Sequence, residues 1–455
     1  MSKVTPEREV AYAVLRRTFE EDEYTEAAFR EEAGARNLAG RSRAQAQRLS
    51  FGAVQRRGST DAIVSSFMKQ KGRRPDPAVS AALRLGIYEI LFADATPDHA
   101  AVDQAVSLVR SAGADYAAGF TNALLRRTLR ERDAVLARLA DDSTPEKASV
   151  AHSFPDWLAR LWWEELGPER ARALMAAANG PSERAVRVNT ARISPEEAIE
   201  RFSGEDLELA PAEGPWPMAP PELLIARGSL AAIETAAQEG LVVSQSRGSA
   251  AVVEVLDPLP GERILDLCAG PGIKTGQIAA RIGRMGNMVS VEPVEDRAAD
   301  VAAQLEKLGF HHGLVVEADA RESEILSGFD RVLVDAPCSD LGALSSRPDA
   351  RWRKSPALIE RVAKLQGEIL DRAAGFIREG GSLVYSTCTI SKRENSDQAL
   401  ELAERHGLVI EDLGARTPHL ADPHDPRFLQ LMPDRDHTTG FFIARFTSPG
   451  SSGTE

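Results

Sequence analysis

The sequence predicts an α/β protein in two main parts, an all-α N-terminal domain followed by a Rossmann-like domain with a mostly parallel sheet. Three observations carry this. Apolar residues recur at intervals of three and four through residues 5–140, the period of a helix that buries one face. From about residue 246 the pattern becomes short apolar runs alternating with amphipathic stretches, which calls for parallel strands with helices on both faces. A glycine-rich stretch follows the first of those runs directly, and ligands of such sheets bind beyond the carboxyl ends of the strands.

In the N-terminal part, Leu83, Ile87, Tyr88, Leu91 and Phe92 show the helical spacing, and Pro75 and Pro77 separate two helical stretches. A Trp- and Pro-rich region from Phe154 to Glu239, with Pro211, Pro215, Pro217, Pro220 and Pro221, reads as a small connecting subdomain. The strand candidates beyond it are Arg263–Leu267, Met288–Glu292, Gly313–Asp319, Arg331–Asp335 and Ser382–Cys388, with helices near 275–282, 296–308 and 355–378. The expected domains are therefore 1–140 (helical), 150–245 (connecting), 246–447 (α/β) and 448–455 (a disordered tail).

Composition narrows the class. At 455 residues, two or three cores are expected. No run of eighteen apolar residues occurs and Met1 to Glu9 is charged, so no membrane span or secretory signal is read, and a cytoplasmic protein is expected. Three cysteines, at 268, 338 and 388, form no disulfide framework and no CxxC spacing for zinc, so no metal is expected. The net charge of −13 argues against nucleic-acid binding by bulk electrostatics. Residues 1–140 hold 22 Lys/Arg and 18 Asp/Glu, or +4, leaving −17 for the remainder. An RNA partner is thus expected to meet the N-terminal part, or local clusters such as Arg347, Arg351, Arg353 and Lys354, which otherwise read as a solvated loop.

The chemistry lies at the strand ends. The first strand leads into Asp266-Leu-Cys-Ala-Gly-Pro-Gly-Ile-Lys-Thr-Gly276, whose glycines let a ligand approach the backbone. By itself this is an ambiguous nucleotide site: Glu292, twenty residues past Gly272, also fits a dinucleotide fingerprint, while the Gly-Lys-Ser/Thr of a P-loop is missing. Glu292, Asp319 and Asp335 end three successive strands. Carboxylates there repel a pyrophosphate but suit ribose hydroxyls, an adenine amine and the cationic sulfonium and amino groups of S-adenosylmethionine.

Two cysteines complete the pattern, in Asp335-Ala-Pro-Cys-Ser-Asp-Leu-Gly342 and Tyr385-Ser-Thr-Cys-Thr389, at the ends of adjacent strands. Carbon-5 of cytosine is a poor nucleophile until a thiolate adds to carbon-6, and a second group must then help release the enzyme. Asp335 is positioned to hydrogen-bond the exocyclic amine and ring nitrogen of the adduct. Position alone leaves the two thiols unordered, because DNA cytosine methyltransferases use a Pro-Cys cysteine as nucleophile.

CAGPGIKT, DAPCSDLG and YSTCT resemble the motifs of the Sun (Nol1/Nop2/Sun) family of RNA cytosine-5 methyltransferases. Arg187-Val-Asn-Thr190, Gly240 to Gln245 and Gly440-Phe-Phe-Ile-Ala444 extend the likeness over most of residues 150–446. Leu83–Glu89, His99–Val102 and Gly119–Arg126 resemble the NusB-type RNA-binding helical domain, and the fusion is similar to a bacterial enzyme that methylates a cytosine of small-subunit ribosomal RNA. The resemblance implies that Cys388 attacks and Cys338 serves product release. It further implies that Cys268, Ala269, Gly270, Pro271, Gly272, Ile273, Lys274, Glu292, Asp319 and Asp335 hold the cofactor, with Arg297 as an addition. RNA is the implied partner, and a monomer without membrane attachment is expected. The sequence departs from the family pattern at Gly270, Ile273, Ser246 and Thr439, and nearest the chemistry at Asp340-Leu341. Two other readings compete: a noncatalytic RNA-binding assembly factor that keeps the fold, and an NAD-linked dehydrogenase suggested by the glycine loop alone.

Overall fold

The computed structural model describes residues 4–68, 70, 72, 74–93, 97–202, 207–228, 230–283, 287–311 and 313–450. The chain divides into two compact units, one of residues 1–180 with 344–354, the other of 181–343 with 355–455.

The first unit is helical. Leu15, Leu49, Leu83, Ile87, Val102 and Leu125 are buried in one core, and Leu91 and Phe92 pack against it. The predicted break stands between the helices Arg57–Phe67 and Pro77–Leu91, with Pro77 in the first turn, where its missing N–H costs nothing. The helical unit runs past the expected boundary at 140, because the helices Pro145–His152, Asp156–Leu166 and Pro168–Ala177 belong to it.

An eleven-residue excursion from the α/β domain, 344–354, belongs to this unit too. Of its arginines, Arg347 is exposed, as a solvated loop would have it, whereas Arg351 and Arg353 are not. Arg351 is fully buried, donating to the carbonyls of Ser153, Ala178 and Leu344 and to Asn179 Oδ1, with its guanidinium 4.1 Å from the Phe154 ring centroid. Arg353 pairs with Asp349 and Asp22, and Trp352 donates its indole N–H to the Val54 carbonyl. The four acceptors of Arg351 take its two terminal nitrogens, which offsets much of the cost of burying the cation, while its Nε has no hydrogen-bond partner. These residues hold the excursion in the helical unit.

The second unit contains two sheets among the described residues. The connecting region, for which the sequence reading named no elements, forms an antiparallel sheet of β1 (Ala185–Val188), β2 (Leu207–Pro211), β3 (Leu223–Gly228) and β4 (Val242–Ser244) in the order β2-β3-β1-β4. The second sheet contains β5 (Arg263–Asp266), β6 (Asn287–Glu292), β7 (Gly313–Glu317), β8 (Phe329–Asp335), β9 (Ile377–Thr387), β10 (Val409–Ile410), β11 (Leu429–Leu431) and β12 (Phe441–Thr447). Its order is β10-β12-β9-β8-β5-β6-β7, with β11 on β12. β5 to β9 are mutually parallel and β12 is antiparallel to β9. β5 thus lies between β6 and β8, where the winding reverses direction. That switch point is where a parallel sheet opens for a ligand.

Leu265, Val332, Val334 and Leu383 bury one face of this sheet, Ile264, Leu333, Val384 and Ile443 the other. Ser448 hydrogen-bonds with the backbone of Gly380 and Gly381, so the end of the chain is ordered there; the expected tail from 451 onward lies outside the described residues. No helix among the described residues is long and apolar enough to cross a membrane.

Candidate active site

The glycine loop leaves β5 at the switch point. Leu267 N–H donates to the Leu333 carbonyl and Ala269 N–H to that of Val291, so the loop stays tied to both neighbouring strands. Gly270 and Gly272 then take φ of +55° and +82°, values that favour glycine. A Cβ on Gly272 would also lie 3.2 Å from the Val301 Cα. The helix Ile273–Ile282 follows, carrying Lys274 and Thr275 in its first turn.

Four carboxylates surround this loop. Glu292 accepts from Gly270 N–H at 3.1 Å and Val294 N–H at 3.2 Å, and pairs with Arg297 at 2.9 Å. Asp335 pairs with Lys274 at 2.6 Å and accepts from Ser386 Oγ at 2.7 Å, and the Lys274 ammonium stands 4.8 Å from the Phe441 ring centroid. Asp319 lies two residues beyond β7 and folds back on Arg321, which holds its carboxyl below the usual range. The fourth is Asp266, which the sequence reading passed over although it opens the motif. It is buried, accepts from Thr275 Oγ1 at 2.7 Å, and its Oδ1 has no hydrogen-bond partner. Burial raises its carboxyl to about 6. Packing around the Cys268 thiol pushes it up, and Asp266, Asp335, Glu292 and Asp319 all add to the shift. One loop therefore feels four negative charges at close range, which is a setting for a cation.

The cysteine loops lie beside it. Cys338 follows β8, Cys388 follows β9, and their sulfurs stand 3.3 Å apart. Ala336 N–H donates to the Ser386 carbonyl and Gly342 N–H to that of Cys388. Gly342 admits no side chain, since a Cβ would lie 2.4 Å from the Gly440 carbonyl oxygen and 2.9 Å from that of Cys388. Glu394, which the sequence reading missed, binds both loops from beneath. Fully buried, it accepts from Ser339 N–H at 2.8 Å, from Ser339 Oγ–H at 2.5 Å, and from Gln366 and Thr389. Burial raises its carboxyl. In the sequence it is one acid in a polar Lys-Arg-Glu-Asn run, with nothing to mark it as buried.

The Cys388 thiol is held well above its ordinary range, first by its hydrogen bond with Cys338, then by burial, then by the charges of Asp340 and Asp335. The resting sulfur is therefore a thiol. Its nearest carboxylate oxygen is Asp340 Oδ1 at 3.1 Å, and the donor atoms of Cys338, Asp340 and Cys388 all lie within 4.8 Å of one another.

Comparison with known proteins adds to this geometry. Family models match residues 5–130 as the NusB family, 154–215 as the RsmF/B-like ferredoxin-like domain and 253–447 as 16S rRNA methyltransferase RsmB/F. The chain is 30% identical over 417 residues to the ribosomal RNA small subunit methyltransferase B of Photorhabdus laumondii, covering 90% of this chain and 92% of that one. It is 28% identical over 455 residues to the probable ribosomal RNA small subunit methyltransferase B of Bacillus subtilis, covering 98% and 100%. Its fold is similar to the crystal structure of PH0851, with a TM-score of 0.79, 24% identity and coverage of 98% and 99%.

Proposed function

The chain belongs to the RsmB/F family of 16S rRNA methyltransferases with an N-terminal NusB domain, and on that premise we propose that it methylates carbon-5 of a cytosine in small-subunit ribosomal RNA through a transient bond to Cys388. The observation that carries the finer reading is the pair of thiols 3.3 Å apart at the ends of adjacent parallel strands, beside a loop ringed by carboxylates.

S-adenosylmethionine is the methyl donor, and when bound it supplies an electrophilic methyl group. The residues fit it. Asp266 offers a buried oxygen without a partner, and a Cβ built on Gly270 would meet nothing within 4 Å. In this reading Cys268 to Lys274 form the floor, Glu292 takes the ribose hydroxyls, and Asp319 and Asp335 contribute negative charge; Arg297 orients Glu292 through their ion pair. Cys388 adds to carbon-6 of the cytosine, which makes carbon-5 nucleophilic. Asp335, with Lys274 and Ser386 fixing its two oxygens, hydrogen-bonds the ring of the adduct, and Cys338 assists loss of the carbon-5 proton and release. The NusB-like helices contribute RNA binding.

The test is transfer of a labelled methyl group from S-adenosylmethionine to unmodified small-subunit ribosomal RNA, followed by nucleoside analysis. Label is expected in 5-methylcytidine; RNA binding without incorporation would establish a noncatalytic assembly factor instead. The variant Cys338→Ala is expected to accumulate a denaturant-resistant protein–RNA adduct, and release at the wild-type rate would remove Cys338 from its role.

A further inference from the structure

Cys338 and Cys388 are 50 residues apart and carry no CxxC spacing, so the sequence gives no sign of a metal centre. The fold gathers a set of metal donors all the same. Pairing of β8 with β9 sets Asp335 beside Ser386, and the loops that follow bring Cys338 Sγ, Cys388 Sγ and Asp340 Oδ1 together. The sulfurs are 3.3 Å apart, and the carboxylate oxygen lies 3.1 Å from Cys388 Sγ and 4.0 Å from Cys338 Sγ. A tetrahedral zinc ion, about 2.3 Å from sulfur and about 2.1 Å from oxygen, sets two sulfurs about 3.8 Å apart and sulfur and oxygen about 3.6 Å apart. Each observed separation is within about 0.5 Å of that geometry.

The donors are held in place by the fold itself. Glu394 fixes both loops through Ser339 and Thr389, and Gly342 N–H closes the Asp340 turn onto the Cys388 carbonyl. All three donor residues are half-buried, so an ion can reach them from solvent. Asp335 and Asp340 act on the Cys388 sulfur as negative charges. They oppose a free thiolate but favour a cation, and a bound metal deprotonates a ligating thiol outright. Ligand type selects the ion: two sulfurs and one oxygen suit zinc or cadmium, whereas magnesium and calcium require oxygen. Asp340 need not be otherwise unengaged, since ligating carboxylates are ordinarily hydrogen-bonded as well.

We propose that Cys338, Cys388 and Asp340 form an inhibitory zinc site, with water as the fourth ligand, and that the ion reversibly silences methylation by holding both sulfurs. The inhibitory role rests on the covalent reading above, in which a sulfur must be free to attack. On binding, the two Sγ–H bonds break, the protons pass to solvent, and each sulfur donates an electron pair to the zinc ion; nothing is oxidised or reduced. The Cys388 pair is then unavailable to carbon-6 of a pyrimidine. Removal of the ion by a chelator returns a proton to each sulfur and restores the thiols.

The test uses the full-length protein, reduced with a phosphine and freed of metal, and the variants Cys338→Ala, Cys388→Ala, Cys268→Ala and Asp340→Asn. Binding of zinc chloride is measured by calorimetry, and cadmium chloride reports ligating sulfur through its near-ultraviolet charge-transfer band. Alkylation of each cysteine by iodoacetamide, read by peptide mass spectrometry, and methylation of a small-subunit ribosomal RNA transcript are followed with zinc and again after EDTA. Zinc is expected to protect Cys338 and Cys388 together, and the cadmium band should fall by about half in Cys338→Ala and in Cys388→Ala, each of which keeps one of the two sulfurs. Changes in the shell around a metal's ligands typically cost about 10- to 100-fold in affinity. Loss of a ligating sulfur should therefore weaken zinc binding at least about 100-fold and loss of the Asp340 charge at least about 10-fold, while Cys268→Ala binds as the wild type does. Methylation by the wild type should be lost at saturating zinc and recover with EDTA. Alkylation of Cys388 that zinc does not slow, or equal affinity in all the cysteine variants, would overturn the site, and methylation untouched by saturating zinc would overturn its inhibitory role. Methylation by Cys388→Ala would sink the covalent reading itself, with the cadmium band still reporting the site. An inactive Cys388→Ala beside a wild type that shows no band would sink only the zinc site.

Discussion

The cofactor loop and the cysteine loops leave neighbouring strands of one sheet, yet they are held in different ways. At the cofactor loop the backbone carries the shape: Gly270 and Gly272 occupy left-handed conformations, and Gly270 N–H is bonded to Glu292. The charged side chains around it are partly exposed, as at Arg297 and Arg321, and paired across short distances. At the cysteine loops the side chains carry the shape, through buried Glu394 bound to Ser339, Thr389 and Gln366. A ligand that must enter and leave is served by a floor whose charges can exchange partners. The proposed covalent step would need its two sulfurs held in fixed positions, which buried networks provide.

The two regions should therefore fail separately. Cys388→Ala is the largest expected effect. Removing a nucleophile from a hydrolase triad costs on the order of 10⁶ in rate, so methylation should fall below detection while S-adenosylhomocysteine binds with unchanged affinity by calorimetry. A parallel loss of binding would mean that the regions are one cooperative site, and residual methylation would remove the sulfur from the chemistry. Gly272→Ala is the reverse experiment. A positive φ costs a side-chain-bearing residue roughly 1 to 3 kcal/mol, and the new Cβ would stand 3.2 Å from the Val301 Cα, a tight contact with backbone. At 1.4 kcal/mol per decade, S-adenosylhomocysteine binding is expected to weaken about 10- to 100-fold. The rate of Cys388 alkylation should stay the same, and unaltered affinity would show that the donor does not rest on this loop.

How much of this was legible differs between the regions for physical reasons. The strands β5 to β9 and the motifs at their ends were readable because buried parallel strands are dense in Val, Ile and Leu and because glycine and cysteine at strand ends are chemically uncommon. The antiparallel sheet of 185–244 was not. Its strands are three to six residues long, and β1 is buried at all four positions, which erases the alternation that marks a strand. Arg351 was read as surface because arginines usually are; its burial depends on carbonyls from Ser153, Ala178 and Leu344, which no local pattern brings together. Glu394 and Asp266 were missed for the same reason, since a lone acid carries no mark of its depth. Asp340 was visible only as a departure from a pattern, and no local signal showed that its carboxylate stands 3.1 Å from the Cys388 sulfur.

The smallest effect expected is also the one that tests the charge balance of the cofactor loop most directly. Asp266 has its carboxyl raised to about 6 from 3.8, chiefly by burial. The folded chain therefore holds this proton more tightly than the unfolded chain does. The stability it contributes is fully present below about pH 4 and is lost as pH rises through about 6, at roughly 1.4 kcal/mol for each unit by which the folded group is shifted. Above that range the charged carboxylate is a fixed cost, offset in part by Thr275. Asp266→Asn does not titrate and still accepts from Thr275. The variant's unfolding midpoint relative to the wild type should climb between about pH 4 and 6 and level off above. A cationic donor reverses the sign of the environment at this oxygen, so S-adenosylmethionine should erase most of the difference at neutral pH by stabilising the wild type more than the variant. Curves that run parallel across the whole range, with and without the donor, would show that the carboxylate does not carry its charge alone, and the four-carboxylate account of the loop would fail with it.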